Sequence, residues 1–317
     1  MDQFAGADAL SDVLAHLHIK ATVYCRSDLR APWAFRVDRK DSASFHALTR
    51  GRASLEVKGV DGAITLKPGD LVLIPHGNGH VLRHSSKAKP IALDELIAQN
   101  PLEDGIRLKM SGRGARTTVL CGSFQFDGSE INPLVASLPP VIHIRGERKR
   151  GSLLQMTLRR IDLETQNSMP GARTLIARLS DVLFLQAVRT YFARLSKDGQ
   201  GEGWIRALKD PQIGRAITLI HRNPESPWSV ALLASEVAMS RSSFSARFKS
   251  MVGESPLKYV ARWRVLKAAW LLQNSNAKLT EVARTVGYNS DIALNKVFKR
   301  LLKTAPGAYR RIQTRSK

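Results

Sequence analysis

A stretch of sequence near the C-terminal end of this chain occurs twice. Ala234, Val237 and Met239 recur 49 residues later as Ala283, Val286 and Tyr288. After one inserted residue the spacing becomes 50, and the matching pairs are Phe244 and Leu294, Phe248 and Phe298, Lys249 and Lys299, Pro256 and Pro306, and Tyr259 and Tyr309. A repeat of this kind indicates two copies of one supersecondary unit, which argues against a generic helical bundle.

Each copy predicts a short helix, a tight turn and a second helix that stops before a proline. Ala238 and Gly287 lie in the two turns, and we predict that Ser240 and Asn289 are the N-caps of the second helices. This is the order of elements in a helix-turn-helix unit, whose second helix presents its exposed face to the major groove of DNA.

The buried and exposed faces of the two second helices follow from helical spacing. Phe244 with Phe248, and Leu294 with Phe298, are four residues apart and should face the core. The outward faces then offer groups that hydrogen-bond base edges or phosphates. The candidate DNA-binding residues are Arg241, Ser242, Ser243, Ser245, Arg247 and Lys249 in the first copy and Asn289, Ser290, Asp291, Asn295, Lys296, Lys299 and Arg300 in the second.

Positive charge is concentrated in the same part of the chain. Of the formal net charge of +22, residues 204–317 carry +15, from 21 Lys and Arg against 6 Asp and Glu. The first 203 residues carry only +7. This asymmetry favours a polyanionic partner for the C-terminal part.

The rest of the chain divides by its hydrophobic period. Residues 20–145 consist of short apolar or alternating runs broken by Gly, Asp and Pro, which predicts a small β-sandwich or barrel. From about residue 151 the period becomes helical, with a stripe that includes Leu175, Val182 and Leu183. It could serve both an internal core and a partner helix, and the alternative is that it only packs onto the β-rich domain of its own chain. A polar, Gly-rich break at 196–203 is a linker candidate. We therefore predict an α+β protein with domains at 1–150 and 204–317, and a helical, dimerising region at 151–203.

Compartment and cysteine usage add two expectations. No apolar run approaches the ~18 residues of a membrane span, and no signal-peptide h-region follows Met1, so we expect a cytoplasmic protein without a membrane partner. The two cysteines, Cys25 and Cys121, do not form a disulfide framework and should start as thiols in a reducing compartment.

The C-terminal part resembles the AraC/XylS family of bacterial transcription regulators. The resemblance rests on AxxVxMSxSxFxxxFK at 234–249, GxSP at 253–256, LxEVAxxVGY at 279–288 and AP...YR at 305–310. It implies two helix-turn-helix units joined by a long helix at about 256–273. The chain departs from the family pattern at Ala246, where a basic or amide residue is common, and at Ile292 and Ala293, where polar residues are common.

The N-terminal part resembles the cupin-type sensor domain of some AraC-type regulators. GDLVLIPHGNGH fits the second cupin motif through Gly69, Pro75, Gly77 and His80, whereas the first motif keeps only His46. A metal site needs three or four converging donors, and His76, His80 and His84 could supply some from one strand face. We favour no metal and no other cofactor, and take His46 and His80 as effector-pocket candidates.

The segments around Cys25 and Cys121 look like those of a cupin-AraC subgroup that includes a reactive-chlorine-responsive activator. In that activator two cysteines at matching places sense oxidants. Arg26 and Arg116 could favour reactive thiolates here, and oxidation would be a reversible switch. Two alternatives stay open: Cys121 is only a small buried strand residue, or the effector is a small molecule.

Together these features predict a sequence-specific transcription regulator without catalytic residues. Its expected partners are promoter DNA, RNA polymerase, a second copy of the chain, and a small-molecule or oxidant effector. Family members with two such units are usually activators, which favours activation. The alternative from another class is a metal-dependent cupin enzyme fused to a DNA-targeting module.

Overall fold

The computed structural model describes residues 10–14, 19–126, 131–146, 152–167, 169–197 and 203–314. Their contacts divide the chain into two compact units. The β unit comprises Ile19–Phe126 and Leu138–Lys197, and the helical unit comprises Met1–His18, Asp127–Ser137 and Asp198–Lys317. The predicted domain bounds of 1–150, 151–203 and 204–317 stay a prediction. The two units divide the chain differently, since they group residues 151–197 with the strands and residues 127–137 with the C-terminal helices.

The β unit is built from two sheets. The strands are β1 Ile19–Arg30, β2 Ala34–Val37, β3 Ala43–Arg50, β4 Ala53–Val57, β5 Ile64–Leu66, β6 Leu71–Ile74, β7 His80–Arg83, β8 Ile91–Ala92, β9 Arg107–Met110, β10 Arg116–Phe126 and β11 Ile142–Ile144. One sheet has the order β11-β6-β3-β10-β1-β9 and the other β5-β4-β7-β2-β8. Neighbours are antiparallel except for β1 with β9 and β2 with β8.

Alternation along the strands produces the core of this unit. In β4 every second side chain is buried, as expected for a strand with one face against the core and one towards solvent. Phe35, Leu55, Leu82 and Val119 belong to one continuous buried cluster that draws on both sheets. Removing side chains of this size from water stabilises the fold by about 1.5–3 kcal/mol each. The β-rich sandwich or barrel predicted from the sequence is confirmed.

Helix α4 (Leu153–Asn167) and helix α5 (Ala172–Lys197) complete the β unit. Helix α5 packs on the longer sheet through Phe184, whose ring lies 5.2 Å from that of Phe124. Of the predicted stripe on this helix, Leu183 is buried in the core, whereas Leu175 and Val182 are exposed. The buried face runs through Ile176 and its helical neighbours, and contact of the exposed part with a partner helix stays a prediction.

The helical unit contains the repeat. It begins with α1, described at residues 10–14, and includes α3 (Pro133–Ser137), whereas α2 (Leu93–Gln99) belongs to the β unit. The remaining helix bounds are α6 Gly203–Lys209, α7 Pro211–Arg222, α8 Val230–Glu236, α9 Arg241–Val252, α10 Pro256–Asn274, α11 Leu279–Thr285, α12 Asp291–Leu302 and α13 Pro306–Thr314. Of the described helices, none combines the length and the apolar character that crossing a bilayer requires.

The sequence repeat is also a repeat of packing. Phe248 of α9 meets Tyr259 of α10 edge-on, with ring centroids 5.6 Å apart. Fifty residues later, Phe298 of α12 meets Tyr309 of α13 in the same way at 5.4 Å. Helix α10 joins the two helix-turn-helix units, as the resemblance to the AraC/XylS family implied. The fold is therefore α+β, with a β-rich N-terminal domain and a helical C-terminal domain.

The two turns differ by the inserted residue. In the first unit Ser240 caps α9 by accepting a hydrogen bond from the Ser243 amide, as predicted. In the second unit the prediction of Asn289 is wrong, because the extra residue lengthens the turn and moves the cap to Ser290. The Ser290 hydroxyl accepts from the Ala293 amide at 3.2 Å.

Candidate nucleic-acid interface and buried thiol–imidazole cluster

The outward face of α9 is polar and basic. Phe244 and Phe248 are fully buried on the opposite side, which fixes how the helix is rotated about its axis. The predicted DNA-contacting residues that are exposed on α9 are Arg241, Ser242, Ser243, Arg247 and Lys249, and Ser245 is half-buried. The structure therefore brings the predicted set together on one helix, with Ala246 among them.

One member of that set already has an internal role. The Arg247 guanidinium binds the Asp210 carboxylate and donates to Oε1 of Gln212 at 3.0 Å. Asp210 is also the N-cap of α7, where it accepts from the Gln212 and Ile213 amides. Arg247 thus fixes α9 against the start of α7, and this contact competes with any contact to DNA.

The outward face of α12 has a different character. Leu294 and Phe298 are fully buried, and Lys296, Lys299 and Arg300 are exposed on the other side. Asn289 and Ser290 are exposed before the helix, whereas Asp291 and Asn295 are half-buried. The Asp291 carboxylate accepts from the Ile292 amide, so it serves the positive end of the helix dipole. Ile292, absent from the predicted set, is the most exposed of the large apolar side chains in the described residues.

In the β unit, three predicted residues form one buried cluster. Cys121 on β10 lies directly opposite His46 on β3, and the Cys121 Sγ is 3.3 Å from the His46 Nδ1. The His46 Nε2 lies 2.7 Å from the His80 Nε2. Cys121, His46 and His80 are 1%, 2% and 3% exposed. The sequence offered all three as candidates, but their contact depends on strand register and could not be read from it.

Hydrogen-bond partners assign the tautomers of the pair. The His80 Nδ1 faces the Asn78 carbonyl oxygen at 2.9 Å, so it must carry a hydrogen and donate. The His80 Nε2 then accepts from the His46 Nε2, which leaves the His46 Nδ1 as the acceptor that faces the thiol. Burial, with a smaller contribution from the nearby His80, holds the pKa of His46 well below its ordinary value. Burial also lowers the pKa of His80, against a hydrogen bond to Asn78 that raises it. Both rings are therefore neutral at pH 7.

The predicted cationic neighbours of the cysteines are engaged elsewhere. The Arg26 guanidinium binds Asp28 and Asp162, and Arg116 binds Asp28 at 3.0 Å. Burial alone would raise the pKa of Asp28, but hydrogen bonds and charges from Thr118, Arg116 and Arg26 outweigh it and lower the pKa. These carboxylates offset the positive charge of both arginines, and the ring facing Cys121 belongs to His46. The expectation that these arginines favour thiolates stays a prediction.

Cys25 is described only by its backbone. In the register of β1 against β10 it lies opposite Cys121, directly after an irregularity between Val23 and Cys25. Its side chain is outside the described residues.

The prediction that His76, His80 and His84 lie on one face of a strand is wrong. The His76 Nε2 bonds the Leu138 carbonyl oxygen, and the His84 Nδ1 contacts the backbone of Trp33, while His80 turns to His46. Only His80 lies in β7, because this strand is just four residues long. Within the described part of the chain, no three His, Cys, Asp or Glu side chains converge as a metal site would need. A cavity of about 680 Å³ does open beside His80, lined by Arg36, Asp38, Arg39, Glu56 and Lys58 among others.

Comparisons with known proteins agree with both units. A cupin family model matches residues 8–193, and a helix-turn-helix domain model matches residues 233–312. A Streptomyces lividans protein named as an AraC-like transcription regulator is 35% identical over 97% of this chain and 99% of its own length. RclR of Escherichia coli strain K12, named as an RCS-specific HTH-type transcriptional activator, is 26% identical over 84% of this chain and 83% of its own.

A solved structure of the DNA-binding domain of AdpA with target DNA is also similar. It is 34% identical and covers 34% of this chain and 96% of that one, with a TM-score of 0.32. On the strength of the cupin match over more than half of its length, and of full-length relatives above 30% identity, this chain belongs to the AraC-like transcription regulators that carry an N-terminal cupin domain.

Proposed function

We propose that this DNA-binding regulator reads a specific promoter sequence with α9 and α12. The observation that carries the proposal is the pair of outward faces, each opposite two fully buried residues and each rich in exposed polar or basic groups. Helices of this kind place their N-terminal residues against base edges in the major groove. Two of them on one face of DNA would enter successive grooves, about 34 Å apart.

Activation of transcription and a cytoplasmic location are further parts of the proposed function. We propose activation through contact with RNA polymerase, as is usual for regulators with two such units. The protein would act in the cytoplasm, where its DNA is. Exposed Lys and Arg on the two helices would contact phosphates, so affinity should fall steeply with rising salt.

Binding of purified protein to its promoter and to random duplex tests this role. We expect Arg241→Ala and Lys296→Ala each to weaken promoter binding, since each removes an exposed cation from an outward face. Arg52→Ala removes the same charge from an exposed site between β3 and β4 of the β unit and is the matched control. Equal affinity for promoter and random duplex at physiological salt would refute sequence-specific reading.

A second copy of the chain is the proposed partner of α4 and α5. Nine large apolar side chains are exposed among the described residues, and six of them lie between Leu153 and Val182. Such clustering marks an interaction surface, whereas apolar side chains scattered singly do not.

Thiol oxidation is the first of two proposed signals. Cys25 and Cys121 are directly opposite in neighbouring antiparallel strands. Cα atoms of such residues are about 4.5–5.5 Å apart, within the range of about 4.4–6.8 Å for disulfides. Hypochlorous acid would transfer its chlorine to one thiolate and release hydroxide. The second thiolate would then attack that sulfur and expel chloride, leaving a disulfide after a two-electron oxidation.

Mass spectrometry of alkylated thiols after hypochlorite treatment tests the oxidation. We expect one disulfide between Cys25 and Cys121, restored to two thiols by reductant. Cys25→Ser and Cys121→Ser should each abolish oxidant-induced transcription. If both variants respond like the unaltered protein, oxidation of these thiols is not the signal.

A small-molecule effector is the second proposed signal, and the cavity beside His80 supports it. Its volume of about 680 Å³ is of the size that takes small ligands, and its charged lining would suit a polar molecule. In this case Lys58→Ala should lower the response to the inducing compound in cells while both cysteine variants respond normally. A response unchanged by Lys58→Ala and by Glu56→Ala would remove the cavity from consideration.

A metal-dependent cupin enzyme fused to the DNA-binding domain stays as the alternative. It would require a donor set that the described residues do not form. Metal analysis of purified protein separates the two roles, since one tightly bound Fe, Mn or Zn ion per chain would favour the enzyme.

A further inference from the structure

Ile292 stands out on the outward face of α12. Its side chain is 78% exposed, whereas Leu294 and Phe298 on the same helix are fully buried. It is the second residue of α12, directly after Asp291, and Ser290 caps the helix before it. An exposed isoleucine there contributes little to the core, so packing within the chain does not explain it.

The position suits direct contact with a base. In helix-turn-helix proteins the first residues of the second helix approach base edges. The major groove is otherwise lined by hydrogen-bond donors and acceptors, and the apolar group that base edges present there is the C5-methyl of thymine. We propose that Ile292 selects thymine by packing against this methyl group. The inference rests on the proposed reading of DNA by α12.

The first repeat has a different chemistry at the same place. The residue 50 positions before Ile292 is Ser242, and the residue 50 positions before Lys296 is Ala246. Ser242 is polar, with its hydroxyl 3.2 Å from that of Ser240. The exposed apolar side chain of α9, Ala246, and that of α12, Ile292, therefore lie at non-equivalent positions of the repeat. The thymine preference of Ile292 belongs to the half of the promoter that α12 contacts.

Deoxyuridine substitution isolates the methyl group. Deoxyuridine pairs like thymidine but lacks the C5-methyl, so replacing one thymidine at a time removes only that contact. We expect one position in the α12 half-site at which the replacement weakens binding about fourfold, the effect of one buried methyl-sized group. Ile292→Ala should remove this sensitivity, and Ile292→Val, which keeps branched methyls, should retain most of it.

One control variant completes the test. Leu257→Ala removes another exposed apolar side chain of the helical unit, on α10, and should leave the deoxyuridine effect intact. The inference is overturned if no replacement weakens binding of the unaltered protein, or if the sensitive position stays sensitive in Ile292→Ala. It is also overturned, in favour of a protein partner, if Ile292→Ala lowers transcription but leaves DNA binding and its deoxyuridine profile unchanged.

If sequence-specific DNA binding itself is wrong, the binding measurements give a different result. In that case promoter and random duplex bind equally, and Lys296→Ala has no effect on affinity. Specific promoter binding that is weakened by Lys296→Ala, with no sensitive thymidine, would overturn only the role of Ile292.

Discussion

At the scale of single residues, the turns of the two helix-turn-helix units share one backbone conformation but differ in strain. Ala238 and Gly287 occupy equivalent positions, and both have positive φ, +52° and +83°. This region costs a residue with a Cβ about 1–2 kcal/mol, whereas glycine adopts it freely. Ala238 is exposed, so its methyl group contributes no packing. We expect Ala238→Gly to raise the free energy of unfolding by about 0.5–1 kcal/mol, measured by urea denaturation.

The reverse substitution at the equivalent position should be harmful. A Cβ on Gly287 would lie 2.7 Å from the Pro224 carbonyl oxygen and from Nη2 of Arg264. Arg264 cannot move aside cheaply, because it donates to the carbonyl oxygens of Pro224 and Ser226 at 2.7 and 2.8 Å. Gly287→Ala should therefore cost more than about 2 kcal/mol. Equal effects of the same sign at the two turns would contradict this account.

The buried imidazole pair gives the β unit a pH dependence. His46 has a pKa well below its ordinary value of 6.5, and that of His80 is also lowered, so the folded state resists protons that the unfolded chain accepts. The contribution to stability is complete above pH 6.5 and is lost as pH falls through the folded-state pKa values. The groups that face the pair are Cys121, the Asn78 carbonyl and Lys40.

Denaturation of the unaltered protein from pH 7.5 to 5 measures this dependence. We expect the free energy of unfolding to decrease below pH 6.5, with a shallower slope in His80→Gln because one buried imidazole is gone. The slope is the quantity to compare, since the substitution itself lowers stability at every pH. Identical slopes would show that other groups control the response.

At the scale of elements, the sequence predicted what depends on local period. Phe244, Phe248, Leu294 and Phe298 are buried as expected, because a spacing of four residues determines the inward face of a helix wherever it packs. The cap of α12 was misplaced by one residue because both Asn289 and Ser290 can cap, and only the length of the turn decides between them.

Contacts across strands could not be predicted in the same way. The meeting of His46, His80 and Cys121 joins β3, β7 and β10, which are far apart in the chain. It requires the register of Cys121 against His46, and a shift of one residue would turn one side chain to the other face. The candidates were visible in the sequence, but their chemistry depends on this pairing.

The exposed apolar face of α4 predicts that two copies of the chain associate through it. Met156 and Leu163 lie seven residues apart on one face and are 59% and 49% exposed. Burying side chains of this size between two copies would contribute about 1.5–3 kcal/mol each. We expect Met156→Asp and Leu163→Asp each to raise the dimer dissociation constant at least about tenfold, measured by analytical ultracentrifugation. Leu257→Asp, at an exposed site on α10, should leave it unchanged, and a similar shift in all three variants would refute this face.

At the scale of the whole molecule, the helical unit is not one continuous piece of chain. It includes α1 and α3, of which α1 precedes β1 and α3 follows β10 in sequence. Val13 and Leu134 in these segments are fully buried. Asp12 Oδ2 lies 4.0 Å from the His221 Nδ1 on α7, and α3 contacts α6. Strands β1 and β10, which carry Cys25 and Cys121, are thus next along the chain to the segments α1 and α3 that pack in the helical unit.

This arrangement predicts which unit loses stability when the packing of α3 is disrupted. Leu134→Ala leaves a cavity that should cost about 2–5 kcal/mol, and the loss should fall on the helical unit although Leu134 lies between stretches of the β unit in sequence. Hydrogen exchange in the full chain should accelerate by roughly 30-fold or more in α6 and not in β3 or β10. Leu158→Ala, at a buried position on α4, should give the opposite pattern. If Leu134→Ala accelerates exchange in the sheets and spares α6, then α3 is stabilised by the β unit and the division of the molecule must be redrawn.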